Sequence, residues 1–304
     1  MQERCKFLKK FIGIIGALIM SFALIGCSQS GDNKAKDNGK LQVTASIYPL
    51  EQLTKMIGGD KVDVLTLVKP GQEPHDFDFK PADFEKLTKS DIFVYNGLGL
   101  ETWLDNAMSQ LKDNDIYMVE ASKGVNVIKD GDKVDPHVWL SLKDATIEAE
   151  NIKNALIAKD PSNKDYYEEN YKKLKSEFVG LYNEYKPKFD KLKKKDFVTG
   201  HAAFGYLCKE FGLEQKSIKD IYGDGEATPK KLEELTKYCK DNNIKTIFSE
   251  SLAEPKTSET LAREAGAKVE KIYSLESSED DKTYLEGMRY NLDVIYKSLE
   301  QENK

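Results

Sequence analysis

The chain has 304 residues, of which 39% are hydrophobic and 32% charged. That is enough apolar material for two packed domains and excludes disorder over the whole length. The formal net charge of −6 excludes a basic nucleic-acid footprint, and it suits cations only in a general sense, because most surface charge is simply solvated.

The N-terminus, MQERCKFLKKFIGIIGALIMSFALIGC, places Arg4, Lys6, Lys9 and Lys10 before an apolar run from Phe11 to Ile25, then Gly26-Cys27. This is the layout of a secretory signal over residues 1–26, with a core short of the roughly 20 apolar residues a bilayer span needs. An uncleaved anchor helix is the competing reading, and both put the bulk of the protein outside the cytoplasm beside a membrane. "LIGC" resembles a bacterial lipobox, whose cysteine, here Cys27, is acylated (palmitate) and becomes the first mature residue. Without residues 1–26, which hold four basic residues and one acidic one, 42 basic residues face 51 acidic ones, a balance of −9. Residues 27–40 then form a lipidated cysteine and a Gly, Ser, Asn, Asp and Lys-rich tether, with a reach on the order of 20 Å.

From Leu41, strand-like LQVTASIYPL, VDVLTLV, DIFVYNG and IYMVEAS alternate with helix-like LEQLTKMIGG, PADFEKLTKS, WLDNAMSQLK and KDATIEAENIKNALIAK. Alternation of this kind predicts an α/β lobe over 41–161 with a parallel sheet flanked by helices. After Asp160-Pro161 the apolar positions Tyr167, Tyr171, Leu174, Phe178, Leu181 and Tyr185 step by four and three, the mark of one long amphipathic helix. Counted from Ser162 to Lys186 it spans roughly 37 Å, and Pro187 should end or kink it; the linking element as a whole covers 162–190. Over 191–304 the alternation resumes with DFVTG, HAAFGYLCKEFG, QKSIKDI, TPKKLEELTKYCKDN, IKTIFSE, KTSETLAREAG, KVEKIY and YLEGMRYNLDVIYKSLE. The predicted fold is therefore α/β, two lobes each with a parallel sheet flanked by helices, joined by one long rigid helix.

Besides Cys5 in the signal and Cys27, only Cys208 and Cys239 remain. Each falls in step with apolar neighbours of a predicted helix, so two separate buried thiols are expected, with a disulfide as the alternative. No CxxC or Cys/His zinc-knuckle spacing occurs.

The three histidines occupy analogous places. His75 follows VDVLTLV through KPGQEP, His137 stands in VDPHVWLS, and His201 closes DFVTG. Proline precedes the first two and restricts the backbone there. Ligand-binding groups of open α/β sheets gather beyond the carboxyl ends of strands, so His75 and His201 are placed to converge on a cleft between facing lobes. Neutral imidazole is the commonest protein metal ligand and suits zinc, copper, iron and nickel. A three-histidine site needs one more donor to close a tetrahedron. Phe77, Phe79, Phe84, Trp139, Phe204 and Tyr206 stand near these positions and could exclude water, or serve as ordinary core.

The stretches EPHDFDFKPADFEKL, NGLGLETWLDN, DPHVWLSLKDA, TGHAAFGYLCKEFGL, TPKKLEELTKYCKDNNIKTIFSE, LAREAGAKV and YLEGMRYNLDVIYKSL carry a resemblance to a known family. The chain resembles the zinc/manganese ABC-transporter substrate-binding lipoproteins, the cluster A-I solute-binding proteins, over nearly everything after the tether. The resemblance implies two lobes linked by a rigid helix with a metal held between them. It implies His75 and His137 as the first two ligands. The third position is histidine in zinc-type members and glutamate in manganese-type ones, and His201 stands there. The fourth implied ligand is a carboxylate after the last strand, where Glu276, Glu279, Asp280 and Asp281 are available; Glu276, nearest KVEKIY, is chosen. Glu250, at the end of IKTIFSE, is the rival, or a hydrogen-bond partner orienting an imidazole. The histidine-rich acidic loop of many zinc-type members is missing, its place taken by KGVNVIKDGDKVDP.

The implied function is capture of Zn2+ outside the cell, as transported ligand, and delivery to an ABC permease driven by a cytoplasmic ATPase, by a monomer held at the membrane through Cys27; Mn2+ is the alternative cargo. A closed four-donor zinc site leaves no position for an activated water, so no enzyme is expected. A zinc-dependent hydrolase would need Glu276 as general base, yet no HExxH, nucleophile elbow or phosphate loop is present. A surface adhesin is compatible with the tether but gives the histidines no role.

Overall fold

The computed structural model describes residues 39–304 apart from 113, 225–226 and 252–254. The expected signal peptide, Cys27 and nearly all of the tether lie outside the described residues.

Strands β1 (Leu41–Ala45), β2 (Val62–Thr66), β3 (Ile92–Tyr95) and β4 (Tyr117–Glu120) form a parallel sheet in the order β2-β1-β3-β4. Strands β7 (Asp196–Thr199), β8 (Glu214–Ser217), β9 (Thr246–Glu250) and β10 (Lys268–Ile272) form a second parallel sheet, β10-β9-β7-β8. Counted within its own lobe, the second sheet repeats the strand order of the first, so the two lobes share one topology. A two-stranded antiparallel hairpin, β5 (Lys129–Asp130) and β6 (Lys133–Val134), lies between them in sequence.

Helices α1 (Tyr48–Gly58), α2 (Pro81–Leu87), α3 (Leu104–Gln110) and α4 (Leu142–Lys159) serve the first lobe. In α1, Leu50, Leu53 and Ile57 recur at helical spacing and are fully buried, which is why this segment packs as a helix on the sheet. Ser141 caps α4 by accepting the amide of Asp144, satisfying one of the orphan donors of a helix start.

Helix α5 (Lys164–Asp190) is the long linking element, preceded by a short 3-10 turn at Pro161–Asn163. Every apolar position predicted for it is buried, from Tyr167 to Tyr185, with Phe189 one turn further. Pro187 does not end the helix, which runs on to Asp190. Lying in the final turn, the proline forfeits one hydrogen bond where few turns remain to be disrupted. Residues Lys40–Lys304 form a single compact unit in which α5 packs against α1, α4, α6 (Gly205–Phe211) and α9 (Tyr284–Glu302).

The second lobe also carries α7 (Pro229–Asn242) and α8 (Pro255–Ala265). Cys208 on α6 and Cys239 on α7 are separate, buried free thiols. Helix α9 begins with a capping box in which Thr283 and Glu286 satisfy each other's backbone amides, a strong start signal. Among the described residues no helix is long and apolar enough to cross a membrane.

Candidate metal centre

Each histidine and the chosen glutamate stand beyond the carboxyl end of a strand. His75 lies in the loop after β2, His137 four residues past the start of β6, His201 two residues after β7, and Glu276 four residues after β10. The folds of the two lobes turn those ends toward one another, and one ligand atom from each of the four side chains lies within 4.8 Å of all the others. The rivals are elsewhere. Asp280 bonds Lys271 and Tyr273, Asp281 is exposed, and Glu279 is not part of the cluster although it is buried.

Most of the distances between donor atoms come close to those of a coordination shell. His75 Nε2 and His137 Nε2 are 3.2 Å apart, and Glu276 Oε1 lies 3.2 Å from His137 Nε2, 3.4 Å from His75 Nε2 and 3.9 Å from His201 Nε2. A tetrahedron of donors at zinc-type bond lengths has edges of about 3.3 Å. His201 Nε2 and Glu276 Oε2 are buried without a hydrogen-bond partner, a costly state that a cation between them would relieve.

The outer faces of two imidazoles are held by carboxylates. Asp135 Oδ1 lies 2.8 Å from His137 Nδ1 and also accepts the His137 amide at 3.0 Å, which leaves Nε2 directed at the cluster. Glu250 Oε1 accepts the His201 amide at 3.1 Å and lies 3.5 Å from Nδ1. Glu250 thus stands in the orienting position that the sequence offered as its second role, outside the cluster of four. A Cβ on Gly200 would come within 2.1 Å of Glu250 Oε2, so glycine is what lets this carboxylate close on the strand end.

These carboxylates set the charge of the pocket. Burial alone would push His137 down, but Asp135 and Glu276 outweigh it and raise the imidazole to about 9. His201 is likewise raised, with burial opposing and Glu250 prevailing. Burial also opposes ionisation of Glu276, yet His137 and His75 hold its carboxyl well below the usual carboxylate range. Without a metal the site thus keeps a carboxylate beside imidazolium, and a cation would replace the proton.

Loops from both lobes are fastened together around the cluster. Trp139 donates its indole N–H to the carbonyl of Ser274 at 2.9 Å, and Tyr284 donates to the carbonyl of Trp139. Gly71, from the His75 loop, donates to Ser277 Oγ at 2.6 Å. Leu275 adopts φ 57°, unusual for a branched side chain, and packs where α9 offers only Gly287, whose Cβ would lie 2.4 Å from Leu275 Cδ2. This left-handed residue turns the chain so that Glu276 faces the histidines.

Of the aromatic residues named from sequence, Trp139 meets His137 edge-on at 5.2 Å, and Tyr206 donates its hydroxyl to the Asp135 carbonyl at 2.8 Å. Phe77 and Phe79 instead pack on Trp103, Phe84 packs partly buried against the main hydrophobic core, and Phe204 packs on Phe197. Sequence reasoning missed Asp135, Glu73 and Tyr222. Asp135 was accessible as the acid two residues before a histidine in DPH, and Glu73, whose Oε1 accepts the His75 amide at 3.3 Å, as the same pattern in EPH. Nothing local marks Tyr222, whose ring stands edge-on to the His75 imidazole.

A family model described as "Zinc-uptake complex component A periplasmic" matches residues 43–298. The chain belongs to the ZnuA/PsaA family of metal-binding substrate-binding proteins. The high-affinity zinc uptake system protein ZnuA of Bacillus subtilis (strain 168) is 36% identical over 313 residues, spanning 96% of this chain and 98% of that one. The manganese ABC transporter substrate-binding lipoprotein PsaA of Streptococcus anginosus is 33% identical, spanning 95% and 99%. The solved structure of Lmb from Streptococcus agalactiae, described as a laminin-binding protein with adhesin and metal-transporting activity, superposes with a TM-score of 0.79 at 37% identity, covering 86% of this chain and 99% of that one. As a family member the chain is the extracytoplasmic solute-binding component of an ABC importer, which works with a permease and an ATPase, and it is not an enzyme. The relatives' names divide among zinc, manganese and iron, so the cargo is a question for the donor chemistry.

Proposed function

We propose that this protein captures Zn2+ outside the cytoplasmic membrane through His75, His137, His201 and Glu276 and delivers it to its importer, the mature chain being anchored through an acylated Cys27. The observation that carries the reading is the donor set, three imidazoles and one carboxylate whose ligating atoms lie within 4.8 Å of one another. Imidazole suits zinc, whereas manganese favours oxygen-rich, higher-coordinate shells. Four protein donors also complete a tetrahedron, as in sites that hold zinc instead of activating water on it.

Elemental analysis of protein isolated from its own cell envelope tests the assignment, with one zinc per chain expected. Stoichiometric manganese with little zinc would replace zinc by manganese as the cargo.

A further inference from the structure

The four donors differ in how they meet solvent. The side chains of His137 and Glu276 are 0% and 1% exposed, those of His75 and His201 7% and 10%. An ion therefore has its way in and out between His75 and His201. On that side lies a cavity of about 250 Å3, lined among others by Glu73, His75, His201, Tyr222 and Glu276.

Tyr222 stands at this mouth. Its ring meets the His75 imidazole edge-on, with centroids 5.4 Å apart and planes at 89°. Its hydroxyl donates to the carbonyl of Val134 at 3.0 Å, so a residue of the second lobe is tethered to the β5-β6 hairpin of the first. Lys133, on the same hairpin, pairs with Asp220 at 2.6 Å and holds its ammonium 5.4 Å from the Tyr222 ring centre. Asp220 Oδ1 in turn accepts the amides of Tyr222 and Asp224, each at 3.0 Å, which fixes the turn that presents Tyr222. The base of the hairpin is held by Tyr206, which accepts the Ile128 amide at 3.1 Å while donating to Asp135.

We infer that Tyr222 is the gate over the ion's path, tethered by the β5-β6 hairpin, and that this cross-lobe tether sets how fast the metal exchanges. The inference rests on the reading of the four donors as the cargo site. Entry and exit share one path, so a gate that closes alike with and without the ion slows both. A state change to which the ion is indifferent shifts no binding equilibrium. The Tyr222 hydroxyl bond is worth the two- to tenfold of an ordinary hydrogen bond, and the Lys133 pair, being partly exposed, less.

The experiment uses the full-length mature lipoprotein and zinc alone, with release read by stopped-flow transfer to excess chelator and capture read against a zinc indicator. Tyr222→Phe is expected to raise both rate constants by the same two- to tenfold factor, Lys133→Ala by a smaller common factor, and Tyr222→Ala by tenfold or more. Unchanged rates in Tyr222→Phe and Tyr222→Ala would overturn the gate while leaving the cargo site standing. Faster release with unchanged capture would also overturn it, since Tyr222 would then be steadying His75 in the bound state. Failure of the wild-type chain to bind one zinc would overturn the cargo site and the gate together. Because Tyr222→Phe keeps the ring and Lys133 lies on the surface, the test survives misfolding of Tyr222→Ala.

Discussion

His137 and Asp135 share a contact of 2.8 Å between Nδ1 and Oδ1 inside a pocket where neither side chain is more than 2% exposed. The carboxylate fixes the tautomer and makes Nε2 a better donor. Asp135→Asn, which keeps the shape and removes the charge, is expected to weaken zinc binding about 10- to 100-fold. Chelator competition measures it, and an unaltered affinity would show the contact to be structural only.

The same pair predicts proton exchange. His137 is raised to about 9 in the metal-free protein, so at pH 7 it is protonated and zinc must displace at least that proton. Calorimetry in buffers of different ionisation enthalpy should show this release fading as pH rises past about 9. In the metal-free protein the folded value lies above the ordinary 6.5, so this group's contribution to stability is full below about 6.5 and is lost as pH rises through about 9. Metal-free protein that gains stability across that window would contradict the charge pattern.

Zinc should act as a folding ligand. At 100 times its dissociation constant it adds about 2.7 kcal/mol to the unfolding free energy. His201→Ala, which removes a donor whose Nε2 is buried and unpartnered, should abolish most of this increment in denaturant titrations. An equal zinc-induced shift in the variant would remove His201 from the site.

Away from the centre, Glu148 on α4 is fully buried with both oxygens unpartnered. Burial, with Asp144 and Glu101 nearby, raises its carboxyl well above the ordinary value. The folded state therefore holds a proton that the unfolded state releases, and that difference costs stability progressively as the pH rises above the unfolded value. Stability from this group falls as pH climbs above about 4.5. Glu148→Gln should flatten the decline between pH 5 and pH 8 in urea titrations, roughly over the range in which an ordinary carboxyl is ionised; an unchanged slope would refute it.

The linking helix offers a test of packing. Phe178 is 1% exposed and meets Tyr284 edge-on with centroids 6.0 Å apart. Phe178→Ala should cost about 3–5 kcal/mol, and a loss below 1 kcal/mol would mean that the site collapses onto the gap.

What the sequence made legible was local. The 3.6-residue rhythm from Tyr167 to Tyr185 yielded the linking helix, and three histidines at strand ends yielded most of the donor set. Resemblance, not periodicity, singled out Glu276 among four acidic neighbours, because only tertiary packing of Leu275 on Gly287 aims it inward. Pro187 does not end the helix because it lies in the final turn, where the rule for helix interiors has little left to disrupt. The β5-β6 hairpin, with Gly131 at φ 61°, was not read from the sequence, since its strands are only two residues a side. Tyr222 meets His75 across 147 positions of chain that no local pattern connects.

A Cβ added at Gly200 would stand 2.1 Å from Glu250 Oε2, so any other residue there would have to push that carboxylate aside. A side chain at position 200 would have to displace the carboxylate that accepts the His201 amide, so the end of β7 leaves position 201 as the place from which a side chain can face the cluster.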